Sequence, residues 1–303
     1  LAPYLRGSSD WFVPSPSKVT ASRDVEGVMS HTGFSPQFLP SENHAARDWL
    51  RRVGWEDGQK IVWVMVRDSK FLDSEFPAVA RKKGLNGTKF WDYHNYRDSD
   101  VQTFVPAMEW LADEGAMVFR MGKTMAQRLD SSHPKVLDYA FHPERSAFLD
   151  VWLFANCDLC ITTGSGPDLI SVVYGRPLLC INYIPISVAI TEGDVVTAGK
   201  HLYGESGERL SLEQHFDVGF LRTDQYREAG ILIKDLNSNE ILEIVRERWD
   251  VLHRADSQTA EDADLRIRFL ELLKRSPHAN LHGFIHPNAN LSKAWVRKLL
   301  EDT

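Results

Sequence analysis

Asp158-Leu-Cys-Ile-Thr-Thr-Gly-Ser-Gly-Pro-Asp168 carries a short apolar run that breaks into small residues just where a helix should begin. A strand ending this way and feeding a helix is part of a βαβ unit, and the flanking sequence repeats the pattern. Upstream, 60–66 (KIVWVMV) is a β-rich run, apolar residues at 101, 104, 105, 108 and 111 have the spacing of an amphipathic helix, and 116–119 returns to strand. Residues 136–139 form a weaker strand and 147–156 a helix rich in large apolar side chains. Downstream, 168–174 reads as helix and 177–181 (PLLCI) as strand. Alternation of this length predicts an α/β domain, a doubly wound and mostly parallel sheet with helices on both faces.

On such a sheet, ligands bind outside the carboxyl ends of the strands, so the residues after each apolar run are the functional candidates. They are Arg67, Asp68 and Ser69, then Arg120, Met121, Gly122 and Lys123, then the turn Thr162-Thr163-Gly164-Ser165-Gly166, then Asn182. Two arginines, a lysine and a small-residue turn at one edge suit a pyrophosphate: guanidinium presents a fork to phosphate oxygens, and glycine lets backbone amides approach. The competing reading is a capped helix start, with Ser165 as N-cap, Asp168 as its acidic partner and rim arginines paired with surface acids.

His94-Asn-Tyr-Arg-Asp-Ser-Asp100 places a histidine, an arginine and two aspartates before the next helix. Asp98 and Asp100 have the DxD spacing of a divalent-metal pair, but Ser99-Asp-Val-Gln102 also fits a capping box, which needs no metal. Tyr96 and Arg97 are left to face the ligand edge. His94 is a candidate general base.

Length and composition limit the partners. With 303 residues and 43% hydrophobic content the chain can bury a large core or two ordinary ones. A net charge of −7 argues against nucleic acid or an anionic membrane surface, so any phosphate must be held by local donors. No run of about 18 apolar residues is present, and no signal peptide is evident. The chain begins at Leu1, as expected of a fragment or a processed product. Cys157, Cys160 and Cys180 lie in apolar segments, too few for a disulfide framework and without further ligands for zinc, which points to core packing and a cytoplasmic location. Residues 1–58 show no βαβ unit beyond a helical stretch at 45–53. Residues 71–95 and 197–219 read as loop-rich, and 241–255, 263–273 and 291–300 as closing helices.

Taken in order, Val66-Arg67-Asp68-Ser69, Tyr96-Arg97-Asp98-Ser99-Asp100, Phe119-Arg120-Met121-Gly122 and Thr162-Thr163-Gly164-Ser165-Gly166-Pro167 resemble the successive motifs of a bacterial family assigned to the glycosyltransferases, with a GT-B-like, Rossmann-like fold. Gly199-Lys200, Leu210-Ser211-Leu212 and Ala289-Asn-Leu-Ser-Lys-Ala-Trp295 extend the resemblance over about residues 40–303. A fainter similarity is to fucosyltransferase-like enzymes. The resemblance implies transfer of a sugar from a nucleotide-diphosphate donor to a surface-carbohydrate or related acceptor, without a metal or other cofactor. It places Arg67 and the 163–166 turn at the pyrophosphate, with Arg120 assisting, and leaves Asp68, Asp98 and His94 as candidate proton acceptors. It also implies that 59–303 is the donor-binding half, and that 1–58 is a linker or the remnant of an acceptor domain otherwise supplied by an N-terminal domain or second chain. A nucleotide-sugar epimerase and a non-catalytic nucleotide-sugar binding module are the alternatives.

Overall fold

In a computed structural model of the chain, residues 23–33, 35–75, 88–254 and 259–301 are described. Their strands are β1 (Ile61–Met65), β2 (Met117–Arg120), β3 (Val136–Leu137), β4 (Leu159–Thr162), β5 (Leu178–Tyr183), β6 (Val195–Gly199), β7 (His201–Tyr203), β8 (Leu232–Lys234) and β9 (Asn290–Leu291). Seven of them form one sheet in the order β3-β2-β1-β4-β5-β6-β9, while β7 and β8 make a separate antiparallel pair. Every neighbouring pair in the large sheet is parallel. The chain runs outward from β1 to β3, returns to β4 beside β1, and runs outward the other way. The switch point therefore lies between β1 and β4, where a crevice opens beyond their carboxyl ends.

Alternation along the strands divides the core into two layers. Ile61, Trp63, Phe119, Cys160 and Cys180 share one cluster with Trp49, Leu153 and Phe154, whereas Val62, Val64, Ile161 and Ile181 share the other with Met108, Leu111 and Trp249. Both faces are covered, so these strands read as nearly continuous apolar runs. The fold is thus a Rossmann-like α/β structure with a parallel central sheet between helical layers. Helix Pro40–Arg52 places Ala46, Trp49 and Leu50 on the first face, a one-sided stripe at helical spacing. Its start is fixed by Pro40 and by the Glu42 carboxylate, which accepts the Leu39 N–H at 2.7 Å. Helix Ala147–Asn156 covers the same face, capped by Ser146 and anchored by Phe154, whose ring stands edge-on to Trp63 at 4.2 Å. Full burial of each such large side chain contributes about 1.5–3 kcal/mol.

The other face carries Ser238–His253, Ala260–Arg275 and Lys293–Glu301. The first two start before the expected positions because polar caps, Asn237 and Thr259, precede the apolar pattern. Two segments read as loops are structured. Lys70–Glu75 is a short helix and Thr88–Arg97 a 3-10 helix, with 76–87 outside the described residues. In 197–219, the end of β6, all of β7 and helix Leu212–Asp217 appear. Gly199 misled that reading: it marks close packing, since a Cβ there would lie 2.7 Å from the Trp295 ring. The three cysteines are buried free thiols in the core, where burial pushes Cys157 up to about 12.

Candidate active site at the switch point

Three chain segments meet outside the ends of β1 and β4. Arg67 follows β1; its backbone N–H donates to Thr163 Oγ1 at 2.9 Å and its carbonyl accepts the Ser99 N–H at 3.1 Å. These bonds lock the 67–69, 97–99 and 163–166 turns together, so their side chains share one edge. Arg67 Nε donates to Asp98 Oδ1 at 3.1 Å, and Arg97 Nη2 donates to the Gly164 carbonyl at 2.5 Å. Burial and the neighbouring Arg97 charge both lower the Arg67 pKa, while Asp98 opposes them. Arg97 makes no direct ion pair among the described residues; the carboxylate its charge acts on is the buried Asp168, whose pKa it lowers.

The Thr162–Gly166 turn departs from the expectation of an amide cradle. Its N–H groups are already spent: Thr163 donates to the Met65 carbonyl at 3.2 Å, Gly164 to Thr162 Oγ1 at 3.0 Å, and Ser165 to Asp168 Oδ2 at 2.7 Å. Only the Gly166 N–H makes no hydrogen bond among the described residues. The buried Asp168 carboxylate, which also accepts the Thr162 hydroxyl at 3.1 Å, fills the place a phosphate would take. Capping is performed by Asp168 reaching back, and the Ser165 hydroxyl contacts Met65 Sδ instead. The turn is nevertheless sharply specified: Gly164 has φ +83°, and a Cβ on it would sit 2.7 Å from the Tyr183 ring.

Burial raises the Asp168 pKa to about 6, against the opposing hydrogen bonds of Ser165 and Thr162. A carboxyl raised on folding stabilises the fold fully below its unfolded value of about 3.9, and that contribution is lost as pH rises through the folded value. Asp168→Asn keeps an oxygen for Ser165 and removes the titration. Urea midpoints measured across this acidic window should fall less steeply with rising pH in Asp168→Asn than in the wild type. Equal slopes would refute the assignment.

The remaining candidates separate into those at the crevice and those drawn away. Asp68 is a brace, its oxygens accepting the Lys70 and Ala126 N–H groups at 3.0 Å each. It ties the β1 turn to the β2 turn. Gly122 and Lys123 line a cleft of about 510 Å³ together with Arg67, Met65, Phe154 and Gly166. Gly122 adopts φ +154° beside Met125 Sδ, and Lys123 Nζ lies 6.0 Å from the Phe71 ring. His94 is held down to about 4, first by burial and then by the charges of Arg67, Arg97 and Arg222. Near neutral pH it is therefore uncharged and a weak base.

Three expected site residues do not reach the crevice. Arg120 is fully buried; Nη1 donates to Asp138 Oδ1 at 3.0 Å, Nη2 to the Gln127 carbonyl at 3.2 Å, and the guanidinium lies 5.5 Å from the Phe141 ring centroid. With its charge neutralised inside the wall, it cannot assist a phosphate. Tyr96 packs on Tyr226 at 5.3 Å in a separate apolar cluster. Asn182 is buried with φ +55°, and its Oδ1 accepts the Leu236 N–H at 2.9 Å, joining β5 to the turn after β8. The DxD pair is also divided. Asp98 faces Arg67, while Asp100 caps the next turn by accepting the Gln102 N–H and also accepts from Gln127.

Lys200 belongs to the site and was not picked out among the candidates. It follows β6, is 2% exposed, and its Nζ reaches Asp235 Oδ1 at 2.7 Å and the Asp98 carbonyl at 2.5 Å. Reading VVTAG at 195–199 as a strand would have selected it, since it is the next residue.

Comparison with known proteins is sparse. No family model and no curated protein matches the chain. Among solved structures, a glycosyl transferase family 9 protein from Veillonella parvula is similar over 55% of this chain and 42% of that one, with 11% identity and a TM-score of 0.38. The match thus spans about two fifths of that protein's length. Among the described residues no helix is long and apolar enough to cross a membrane.

Proposed function

We propose that the chain is a glycosyltransferase whose switch-point crevice holds the diphosphate of a nucleotide sugar and passes the sugar to a carbohydrate acceptor. The observation that carries this reading is the Arg67–Arg97 pair, in which among the described residues only Arg67 makes a direct ion pair, with Asp98, while Arg97 is opposed only at longer range by the buried Asp168. Two adjacent guanidiniums repel, and in a chain of net charge −7 such a pair at the ligand edge, with only one direct ion pair among the described residues, is the complement of a compact anion. A diphosphate supplies the charge, and the adjoining 510 Å³ cleft has the size of a small-molecule site for the rest of the donor. As the anomeric bond breaks, negative charge grows on the leaving diphosphate. Fixed guanidiniums stabilise that charge without needing to reorganise. On this reading no cofactor beyond the donor takes part. The acceptor wall is completed by an N-terminal domain or a second chain, and the protein works in the cytoplasm, in keeping with its three unpaired thiols.

Thermal denaturation with UDP-glucose, GDP-mannose and ADP-glucose tests the donor site. At least one should raise the melting temperature, because a ligand that binds only the folded state stabilises it by about 2.7 kcal/mol at a hundred times its Kd. Arg97→Ala should remove most of that shift. Absence of any shift with all three would exclude the reading.

A further inference from the structure

We infer that donor binding switches Asp98 from the ion-pair partner of Arg67 into the proton acceptor for the incoming hydroxyl. The inference rests on the donor reading above and adds to it the identity and control of the base. Three acidic or basic groups compete for that task, and geometry separates them. Both oxygens of Asp68 are spent on backbone N–H groups. His94 lies among three arginine charges that oppose its protonation. Asp98 differs: Oδ1 meets only Arg67 Nε at 3.1 Å, and Oδ2 accepts no hydrogen bond among the described residues.

Arg67 is placed to change partners. Only its Nε is engaged on Asp98; its two terminal amino groups make no hydrogen bond among the described residues, and the side chain lines the cleft. A diphosphate there offers a fork acceptor of higher charge than one carboxylate. Asp98 cannot follow, because its main chain is pinned. Lys200 Nζ donates to its carbonyl, and the Asp98 N–H bonds the Asn95 carbonyl at 3.0 Å. The charges acting on Asp98 are Arg67 and Asp68 from the end of β1 and Lys200 from the end of β6; Arg97 and the uncharged His94 lie on its own segment. Lys200 is already paired with Asp235, so Arg67 is the cation that most directly holds the carboxylate ionised. Burial has already raised Asp98 to about 6 despite that contact, and loss of the contact raises it further.

The transfer then balances. The acceptor hydroxyl oxygen forms its bond to the anomeric carbon while its proton moves to Asp98. The carbon–oxygen bond to the diphosphate breaks, and its electron pair leaves on the diphosphate held by Arg67 and Arg97. Before the donor binds, the Arg67 contact makes Asp98 a poorer base; with the donor bound, the Asp98 that stays ionised above its raised midpoint is the stronger base, so transfer runs on the alkaline side of that midpoint and the protonated form is inactive.

Isothermal titration of UDP-glucose, GDP-mannose and ADP-glucose, in two buffers of different ionisation enthalpy near the Asp98 midpoint of about 6, reads the prediction directly. The diphosphodiesters of these probes hold no proton near neutrality, so proton uptake on binding reports protein groups. Binding should take up a substantial fraction of one proton. Asp98→Asn should bind the same probe without uptake, whereas His94→Gln and Asp168→Asn should each keep it, which assigns the proton by exclusion of the other two shifted groups even if Asp98→Asn does not fold. Binding without uptake in the wild type, uptake retained in Asp98→Asn, or uptake lost in His94→Gln or Asp168→Asn would each overturn the inference while leaving the donor site standing. Failure of all three probes to bind would instead remove the donor reading, and this inference with it.

Discussion

Arg67→Ala should abolish most donor turnover in a protein that still folds. Hydrogen bonds to charged groups contribute about 1.5–3 kcal/mol, so loss of the guanidinium should weaken nucleotide-sugar binding by roughly 10- to 150-fold. Donors aimed at charge that develops in the transition state are worth more, and a fall in turnover of about 100-fold or greater is expected. The fold should survive because the contacts joining the three turns are made by the Arg67 backbone, not its side chain. Asp98 is left without its guanidinium but is not sealed, its side chain being 23% exposed, so it can take a proton from water. Arg67→Lys should fall between, since an ammonium keeps the charge and loses the planar fork. Donor consumption measured on folded variants, with circular dichroism as the control, decides the point. Turnover unchanged in Arg67→Ala would remove Arg67 from the site.

Arg120→Met should do the opposite, lowering stability steeply while leaving nucleotide-sugar affinity of the folded protein nearly unchanged. Its side chain has no exposure, and among the described residues its partner Asp138 keeps only the Leu129 N–H at 3.0 Å once the guanidinium is gone. Removing one member of a buried ion pair typically costs about 3–5 kcal/mol, and the low end is expected here because Asp138 is 17% exposed and can be partly rehydrated. The Gln127 carbonyl also loses its donor. Urea denaturation should show the loss, and titration with the probe that binds wild type should show the unchanged affinity. A stable Arg120→Met with weakened binding would return Arg120 to the ligand edge.

The contrast between these arginines shows how far the sequence could be read. Both follow or end an apolar run that is a strand, so local pattern places both at the carboxyl edge of the sheet, which is where they are. Local pattern says nothing of what surrounds a residue there. Arg120 is closed over by the 127–141 segment, and Arg67 faces the cleft. The small-residue turn gave a similar ambiguity. Glycines and hydroxyls at 162–166 suit either a phosphate or an internal acid, and Asp168, three residues on from Ser165, is close enough along the chain to win that competition before any ligand arrives. Lys200 was hidden because β6 ends in small residues, and glycine there reads as a turn signal although it records tight contact with Trp295.

Strand runs, helical stripes and their alternation determined the parallel Rossmann-like sheet and the set of residues delivered to its carboxyl edge, because side-chain periodicity and the breaks between runs are local properties of the chain. The tertiary structure alone decided which of those residues form the site. Burial and charge pairing join positions distant in sequence, as Arg67 to Asp98, Arg120 to Asp138 and Lys200 to Asp235. Which cation is neutralised and which is left to meet an anion therefore depends on the folded surroundings of each.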